Sequence, residues 1–338
     1  MQQRLTKMWY APARPSLLQP LGWLYGAVVR SRRALYRAGV LGRVRAAVAT
    51  VVIGNLTVGG TGKTPLTLWL AAALGARGLK VGILSRGYGG SGRGVVRVSA
   101  QANWRTVGDE PLLLALRSGC ATVVARDRAA GAAALAAAGV DVIVADDGLQ
   151  HLRLARDCQL VVVDGSRGFG NGRLLPAGPL REPLAQLAQA DLVIVNGAAG
   201  HPSLSVLPQG RTLTMSLEAT QALPVGGQGG GRALEAFRGQ RVHAVAGIGN
   251  PGRFFADLRA HGIELTEHAF PDHHPLSAQD LAFGDAAPVL MTEKDAVKCA
   301  GCADARLWYV PVTARFSEAD AQQLLHRVLA CIDSRKAA

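Results

Sequence analysis

From residue 48 onward, short apolar runs alternate with longer segments rich in alanine and leucine. The runs are rich in β-branched residues and nearly free of polar side chains, which is typical of strands covered on both faces of a parallel sheet. We predict strands over residues 48–53, 81–84, 122–125, 142–145, 160–163 and 192–195, with crossover helices over 66–74 and 129–138. The pattern predicts a doubly wound α/β domain, which we assign to residues 46–215.

A change of composition divides the chain after this domain. Residues 220–232 are rich in glycine, glutamine and proline, which is typical of a linker or an exposed turn. A second α/β pattern follows, with strands predicted over residues 242–246, 263–269, 289–292 and 307–311 and helices over 252–260 and 318–332. We therefore assign residues 216–338 to a smaller α/β domain and expect a cleft between the two lobes.

The N-terminal segment, residues 1–45, combines apolar and basic positions. Fifteen uncharged residues separate Arg14 from Arg30, and Pro20 and Gly22 interrupt this run. A membrane-spanning helix needs about 20 apolar residues, and arginines follow the run where a signal peptide would have its cleavage site. We therefore predict neither a spanning helix nor a signal peptide. Two interpretations remain, a helix lying in a lipid interface and an amphipathic helix packed on the protein's own core.

Composition indicates a folded protein with an anionic partner. Of the 338 residues, 49% are hydrophobic and 18% are charged, which excludes a disordered chain. Five cysteines in so long a chain favour a reducing compartment over a disulfide scaffold.

The net charge of +13 is unevenly distributed along the chain, because residues 1–108 hold 16 lysines and arginines and no acid. This excess suits a membrane surface, a nucleic acid or a phosphorylated ligand. Nucleic acid is less favoured, since the N-terminal aromatic residues cluster with aliphatic ones.

The most specific local signal is the run VVIGNLTVGGTGKTP at residues 51–65, in which a predicted strand leads through a glycine-rich loop into a helix. The glycines let successive backbone N–H groups face one anion at the positive end of the helix. Lys63 would reach the outer phosphates, and the Thr64 hydroxyl would hold Mg²⁺. The strict P-loop pattern has glycine at position 57, where this chain has threonine, so the loop is a variant. We predict a nucleotide-binding loop formed by Thr57, Val58, Gly59, Gly60, Thr61, Gly62, Lys63 and Thr64.

Acidic residues follow the predicted strands at two places. Asp146 and Asp147 come directly after the strand at 142–145, where a Mg²⁺ ligand is needed beside a phosphate loop, although paired aspartates also cap turns. We favour binding of the metal, directly or through its water shell. Asp109 lies at a predicted helix start, beside Glu110. It is either an N-cap residue or a base that accepts the proton of an acceptor hydroxyl.

Arginines also follow predicted strands. Arg86 comes after the strand at 81–84 and would point into the same crevice as the phosphate loop, while Arg126 and Arg128 come after the strand at 122–125. The forked guanidinium group suits phosphate oxygens at such places. An ordinary surface position is the alternative for each of them.

Two further groups of residues are less specific. In the run FPDHHP at 270–275, Asp272 would orient His273 for proton transfer, or the run is simply a capped turn. Cys299 and Cys302 have the spacing of half a zinc site. Because no second pair accompanies them, we interpret these cysteines as structural.

Three classes of function account for these residues to different extents. A kinase uses the phosphate loop and both groups of acids. A regulatory ATPase that acts as a binding switch needs Lys63 and Thr64 but not Asp109 or His273. A non-enzymatic protein that binds membranes or nucleic acid accounts for the basic first third and leaves the strand, loop and helix at 51–74 unexplained.

Together, the motifs resemble those of the tetraacyldisaccharide 4′-kinase family, the lipid A 4′-kinases of Gram-negative bacteria. The resemblance extends from the N-terminal segment to about residue 315. It rests on GNLTVGGTGKTP at 54–65, SRGYGG at 85–90, GDEP at 108–111, DDGLQH at 146–151, DGSRGFGN at 164–171 with LPAGPLRE at 175–182, FPDH at 270–273 and TEKD at 292–295. Thr57 agrees with the loop of this family, whereas Leu149 stands where the family often has phenylalanine.

The resemblance implies a P-loop-type α/β kinase that uses ATP and Mg²⁺. Its implied acceptor is the 4′-hydroxyl of a tetraacyl glucosamine disaccharide 1-phosphate, in a late step of lipid A biosynthesis. Asp109 and His273 are implied to form a base dyad, in which the histidine raises the competence of the carboxylate. Asp146 and Asp147 are implied to be the acidic pair near the metal, and Lys63 to neutralise phosphoryl charge.

The resemblance also implies where the enzyme works. The N-terminal segment would be a membrane-seated helix that supplies the lipid substrate without extracting it into water. The enzyme would be peripheral, at the cytoplasmic face of the bacterial inner membrane. ATP, the membrane-embedded lipid and the inner-membrane surface are its implied partners, and no nucleic acid is expected.

Overall fold

The computed structural model describes residues 8–11, 16–227, 229–302 and 304–337. A nine-stranded sheet is its main feature. The strands of this sheet are β1 (Ala49–Gly54), β2 (Val81–Ser85), β3 (Val95–Val98), β4 (Ala121–Ala125), β5 (Val142–Ala145), β6 (Cys158–Asp164), β7 (Leu192–Asn196), β8 (Thr212–Glu218) and β15 (Thr313–Phe316). Their order is β15-β8-β7-β6-β1-β5-β2-β4-β3. The two edge strands, β3 and β15, pair antiparallel with their neighbours, and the seven strands between them are parallel.

A six-stranded sheet forms the smaller lobe. Its strands are β9 (Gln221–Pro224), β10 (Arg232–Ala233), β11 (Arg241–Ala246), β12 (Glu264–Ala269), β13 (Val289–Thr292) and β14 (Leu307–Val310). Their order is β10-β9-β14-β13-β11-β12, and the four strands from β14 to β12 are parallel.

Helices cover the sheets and precede the first strand. They are α1 (Gln19–Arg37), α2 (Lys63–Gly75), α3 (Trp104–Val107), α4 (Asp109–Ser118), α5 (Arg128–Ala137), α6 (Pro251–Ala260), α7 (Glu293–Ala296) and α8 (Glu318–Lys336). Within the described ranges, none of these helices combines the length and the apolar character that crossing a bilayer requires.

The sequence pattern explains why the large sheet is buried on both faces. All six residues of β1 are buried, as expected for a central parallel strand. Leu66, Leu70 and Leu74 recur at helical spacing on α2 and are completely buried on one face of the sheet. Leu135 of α5 belongs to the apolar cluster on the opposite face. The doubly wound α/β prediction is confirmed, and the predicted strands lie within a few residues of the observed ones.

The C-terminal boundary of the predicted smaller domain differs from the structure. Residues 313–336 were assigned to that domain, but β15 pairs with β8 at the edge of the large sheet. Helix α8 buries Leu324, Val328 and Ile332 in the same cluster as α2. The reason is that β8 would otherwise be an open edge and α8 carries an apolar stripe that needs a partner. The smaller lobe is therefore an excursion between β8 and β15.

Candidate active site

The glycine-rich loop lies between β1 and α2, at the carboxyl edge of the large sheet. Gly62 has a φ of 97°, a left-handed conformation that favours glycine. A Cβ atom at this position would lie 2.5 Å from Asn196 Nδ2. That same amide donates a hydrogen bond of 3.0 Å to the Thr61 carbonyl oxygen. The close approach of Asn196, which ends β7, therefore requires glycine immediately before α2.

Side chains from other segments hold the outer part of the loop. Arg167 donates a 2.6 Å hydrogen bond to the Gly60 carbonyl oxygen, and the backbone N–H of Val58 donates to the Pro179 carbonyl oxygen at 2.8 Å. Thr61 Oγ1 is buried and has no hydrogen-bond partner in the described part of the chain. The loop is thus held through the Gly60 carbonyl oxygen and the Val58 N–H, and it keeps the buried Thr61 hydroxyl available, which fits an incoming polar group such as a phosphate.

Asp147 is the carboxylate nearest to the phosphate-loop lysine. Its Oδ1 lies 3.6 Å from Lys63 Nζ and 2.9 Å from a guanidinium nitrogen of Arg181. Burial alone would raise the pKa of Asp147, but the charges of Lys63 and Arg181 hold this pKa well below its ordinary value. Asp147 has a φ of 48°, which is uncommon for a residue other than glycine. The carboxylate is therefore ionised and turned toward the loop.

Asp146 lies in a different environment, although it is the adjacent residue. It is 1% exposed, and Thr67 Oγ1 lies 3.3 Å from its Oδ1. Burial, together with the charge of Glu110, raises the pKa of Asp146 to about 7. A carboxylate whose buried charge is only partly compensated fits a divalent cation, which binds oxygen ligands. Thr64, Asp146 and Asp147 carry oxygen ligands of the chemical type that Mg²⁺ prefers.

Asp109 and His273 come from different lobes and meet in the structure. His273 Nδ1 lies 3.0 and 3.1 Å from the two carboxylate oxygens of Asp109, which is 3% exposed. Burial would raise the pKa of Asp109, but the hydrogen bond from His273 and the charge of Lys294 outweigh it and lower the pKa to about 2. His273 therefore keeps the carboxylate ionised and weakens its intrinsic basicity, rather than raising it.

Two lysines that the sequence analysis left without a role complete this cluster. Lys294 Nζ lies 3.0 Å from Glu110 Oε1, 3.1 Å from Asp272 Oδ1 and 3.4 Å from His273 Nε2. Burial would lower the pKa of Lys294, but the neighbouring carboxylates, with Glu110 first, raise it above its ordinary value. Lys298 is fully buried, 3.5 Å from Asp109 Oδ2 and 2.8 Å from Asp295 Oδ1. The motif TEKD at 292–295 was part of the family resemblance, but it did not predict these contacts of Lys294 and Lys298.

The predicted arginines have different surroundings. Arg128 is 3% exposed and donates to the carbonyl oxygens of Leu84 and Asp146, at 2.8 Å each. These hydrogen bonds connect the ends of β2 and β5. Because its guanidinium group is already engaged by backbone carbonyl oxygens, Arg128 does not fit the role of a phosphate-binding arginine. The Arg86 side chain is exposed. Arg181, which the sequence analysis did not single out, provides the guanidinium contact to Asp147.

The N-terminal helix α1 has one packed face and one exposed face. A Cβ atom at Gly26 would lie 2.7 Å from a methyl carbon of Leu174, and Tyr25 donates a hydrogen bond of 3.0 Å to the Arg181 carbonyl oxygen. The rest of α1 exposes the large apolar side chains of Leu21, Trp23, Leu24 and Val28, and Leu17, just before the helix, is exposed as well. Packing on the protein's own core therefore accounts for only part of this apolar segment.

Comparison with known proteins gives consistent results over nearly the whole chain. A family model described as tetraacyldisaccharide-1-P 4′-kinase matches residues 14–330. A tetraacyldisaccharide 4′-kinase of Alkalilimnicola ehrlichii is 52% identical over 92% of each chain, and one of Azoarcus sp. is 50% identical over 93% of this chain and 92% of its own. The crystal structure of an "apo" form of LpxK from Aquifex aeolicus in complex with ATP is similar with a TM-score of 0.78 and 29% identity, covering 93% of this chain and 98% of that one.

Proposed function

The chain belongs to the tetraacyldisaccharide-1-P 4′-kinase family, the kinases of lipid A biosynthesis, and on that premise we propose the roles of its residues. The reaction is transfer of the γ-phosphoryl group of ATP to the 4′-hydroxyl of a tetraacyl glucosamine disaccharide 1-phosphate. The observation that carries the proposal is the pairing of Asp109 with His273. The charge of Glu110, next to this pair, raises the pKa of Asp146 beside the phosphate loop, which supports assigning both groups to one site.

Residues 57–64 bind the triphosphate of ATP through their backbone N–H groups and the Lys63 ammonium group. Thr64, Asp146 and Asp147 would hold Mg²⁺, which would neutralise charge on the phosphates of ATP. Arg181 is 2.9 Å from Asp147 and orients that carboxylate. The 3.6 Å contact between Lys63 and Asp147 keeps the lysine ammonium group beside the acidic pair.

The Asp109–His273 pair receives the proton of the acceptor. The 4′-oxygen forms a bond to the γ-phosphorus, the bond from that phosphorus to the β–γ bridging oxygen breaks, and ADP leaves. The hydroxyl proton passes to the dyad. A carboxylate with a pKa of about 2 is fully ionised at neutral pH, so it aligns the imidazole through their hydrogen bond, and the pair acts together as the proton acceptor.

The exposed face of α1 supports attachment to a membrane surface. Trp23 and Leu24 are 65% and 63% exposed, while arginines on the same helix would meet anionic headgroups. We infer that the enzyme is peripheral and binds the cytoplasmic face of the inner membrane through this helix. The acyl chains of the substrate can then stay in the bilayer while its sugar reaches the crevice.

One experiment tests the reaction and another tests the attachment. Purified enzyme in detergent should form 4′-phosphorylated lipid only when ATP and the disaccharide lipid are both present. ATP consumption that is equal without the lipid, with no phosphorylated product, would contradict the proposal. For attachment, Leu24→Ser/Val28→Ser should sediment with vesicles less than the parent enzyme. The matched control is Leu116→Ser/Val206→Ser, two exposed apolar residues elsewhere, and equal sedimentation of all three proteins would refute attachment through α1.

A further inference from the structure

A cavity of about 380 Å³ lies at the edge of the large sheet opposite the phosphate loop. Its floor is formed by residues at the amino ends of β6 and β7, including Asp157 and Asp191. Strand β6 has seven residues and rises about 3.3 Å per residue, so this cavity is roughly 20 Å from the carboxyl edge. It is therefore separate from the nucleotide site.

Four arginines line this cavity, which we call the arginine pocket: Arg33, Arg43, Arg45 and Arg156. Arg33 lies 2.7 Å from Glu182, and Arg45 lies 2.8 Å from Asp157. In the described part of the chain, no carboxylate lies within salt-bridge distance of Arg43 or Arg156. Half of the guanidinium groups in the pocket therefore lack an acidic partner.

The two aspartates in the pocket wall already accept hydrogen bonds from other groups of the protein. Asp157 accepts hydrogen bonds from Arg45 and from the Thr50 backbone N–H, at 2.8 and 2.9 Å. Asp191 accepts from Arg327 and from the Gln159 backbone N–H, at 2.5 and 2.8 Å. Neither aspartate is free to neutralise the remaining arginines, so the pocket keeps a surplus of positive charge.

Arg156 is held in a position that faces the excess positive charge of the pocket. One of its guanidinium nitrogens donates to the Leu149 carbonyl oxygen at 3.1 Å and to Gln159 Oε1 at 3.0 Å. Burial, followed by the charges of Arg33 and Arg43, lowers the pKa of Arg156 to about 10. Like charges gathered in a half-buried cavity repel one another, and a bound anion relieves that repulsion.

We propose that the arginine pocket binds a phosphate group, as carried by an anionic phospholipid headgroup or by a soluble phosphate. Guanidinium forks recognise phosphate oxygens through paired, charge-assisted hydrogen bonds. The neighbourhood also suits a lipid, because Arg33 lies on α1 and exposed Val40 and Leu41 precede Arg43. A headgroup in the pocket would leave its acyl chains beside these apolar residues.

The test uses the variant Arg43→Gln/Arg45→Gln, since both side chains are exposed and neither is assigned to the reaction. Arg77→Gln/Arg97→Gln is the control, because it removes the same charge from exposed positions outside the pocket. Inorganic phosphate is titrated calorimetrically with the nucleotide site saturated by a non-hydrolysable ATP analogue and Mg²⁺. We expect the pocket variant to lose at least about tenfold in phosphate affinity and the control to keep it.

Vesicles then distinguish the two sources of phosphate. Sedimentation is compared on vesicles of phosphatidylcholine with and without phosphatidylglycerol. A defect of the pocket variant on phosphatidylglycerol vesicles, in addition to lost phosphate affinity, identifies a lipid headgroup. Lost phosphate affinity with unchanged sedimentation identifies a soluble phosphate. Unchanged phosphate affinity and unchanged sedimentation overturn the proposal. A parent enzyme that binds phosphate in the pocket but no vesicle contradicts membrane attachment alone, so the two proposals can fail separately.

Discussion

Replacing Asp109 by asparagine tests the chemistry and the electrostatics of the site together. The carboxylate is 3% exposed and has its pKa lowered from 3.8 to about 2. A depressed acid contributes stability above its unfolded pKa of 3.8, and this contribution is lost as pH falls toward 2. At 1.36 kcal/mol per pKa unit, the contribution at neutral pH is about 2 kcal/mol. Asp109→Asn should lose this contribution, because the amide carries no charge for Lys294 and Lys298 to stabilise.

The same variant should lose phosphoryl transfer. A correctly positioned acid–base group contributes about 10²- to 10⁴-fold to the rate, so kcat for the lipid should fall within that range. ATP affinity should stay within a few-fold of the parent value, because Asp109 is not part of the phosphate loop. The measurements are product formation with labelled ATP, binding of a fluorescent ATP analogue, and urea unfolding at neutral pH.

Asp285→Asn is the matched control, because Asp285 also pairs with a histidine, His243, at 3.1 Å, but its side chain is 45% exposed and neither residue is assigned to the reaction. The control should retain most of its activity and stability. If Asp109→Asn transfers phosphate at more than a tenth of the parent rate, Asp109 is not part of the base. If it unfolds at the parent urea concentration, the assignment of the low pKa to Asp109 is wrong.

Three further variants test other parts of the structure. Lys63→Ala should lower kcat by about 10²-fold or more, because it removes charge stabilisation at the transferred phosphoryl group; labelled product formation at the parent rate would refute the assignment. Asp146→Asn should abolish transfer. It should also raise the free energy of unfolding by about 2–4 kcal/mol at pH 8, measured in urea. The reason is that the pKa of Asp146 is raised to about 7 in the folded protein, so burying its ionised form costs free energy above pH 3.8. Arg33→Ala should destabilise the protein by about 3–5 kcal/mol, because it leaves buried Glu182 unpaired; recovery in Arg33→Met/Glu182→Leu would show that the unpaired charge is the cause.

The parts of the site that depend on local sequence were predictable. A strand, a glycine-rich loop and a helix lie next to one another in the chain, so residues 51–65 were sufficient to indicate the position of the phosphate loop. Asp146 and Asp147 were located by the same reasoning, because the carboxyl ends of parallel strands share one edge. Strand periodicity likewise predicted the parallel core, in which burial on both faces produces continuous apolar runs.

The remaining features depend on contacts between distant residues, which spacing does not encode. His273 is 164 positions from Asp109, and only the family resemblance connected the two. Arg128 follows a strand as Arg86 does, but the Arg128 guanidinium group donates its hydrogen bonds to backbone carbonyl oxygens. The charge of Lys298 is buried between two acids from different lobes, and its surroundings in the sequence resemble those of an ordinary short helix.

The return of the chain from the smaller lobe to β15 has a consequence for synthesis on the ribosome. Thr313 pairs with Glu218, so both connections of the smaller lobe leave the large sheet side by side. One edge of that sheet, β15, and the helix beside it, α8, are translated after the whole smaller lobe. The nucleotide-binding lobe therefore cannot complete its core until α8 has emerged, whereas the lobe inserted within it has all its own strands beforehand. We expect the inserted lobe to acquire protease resistance first on stalled nascent chains.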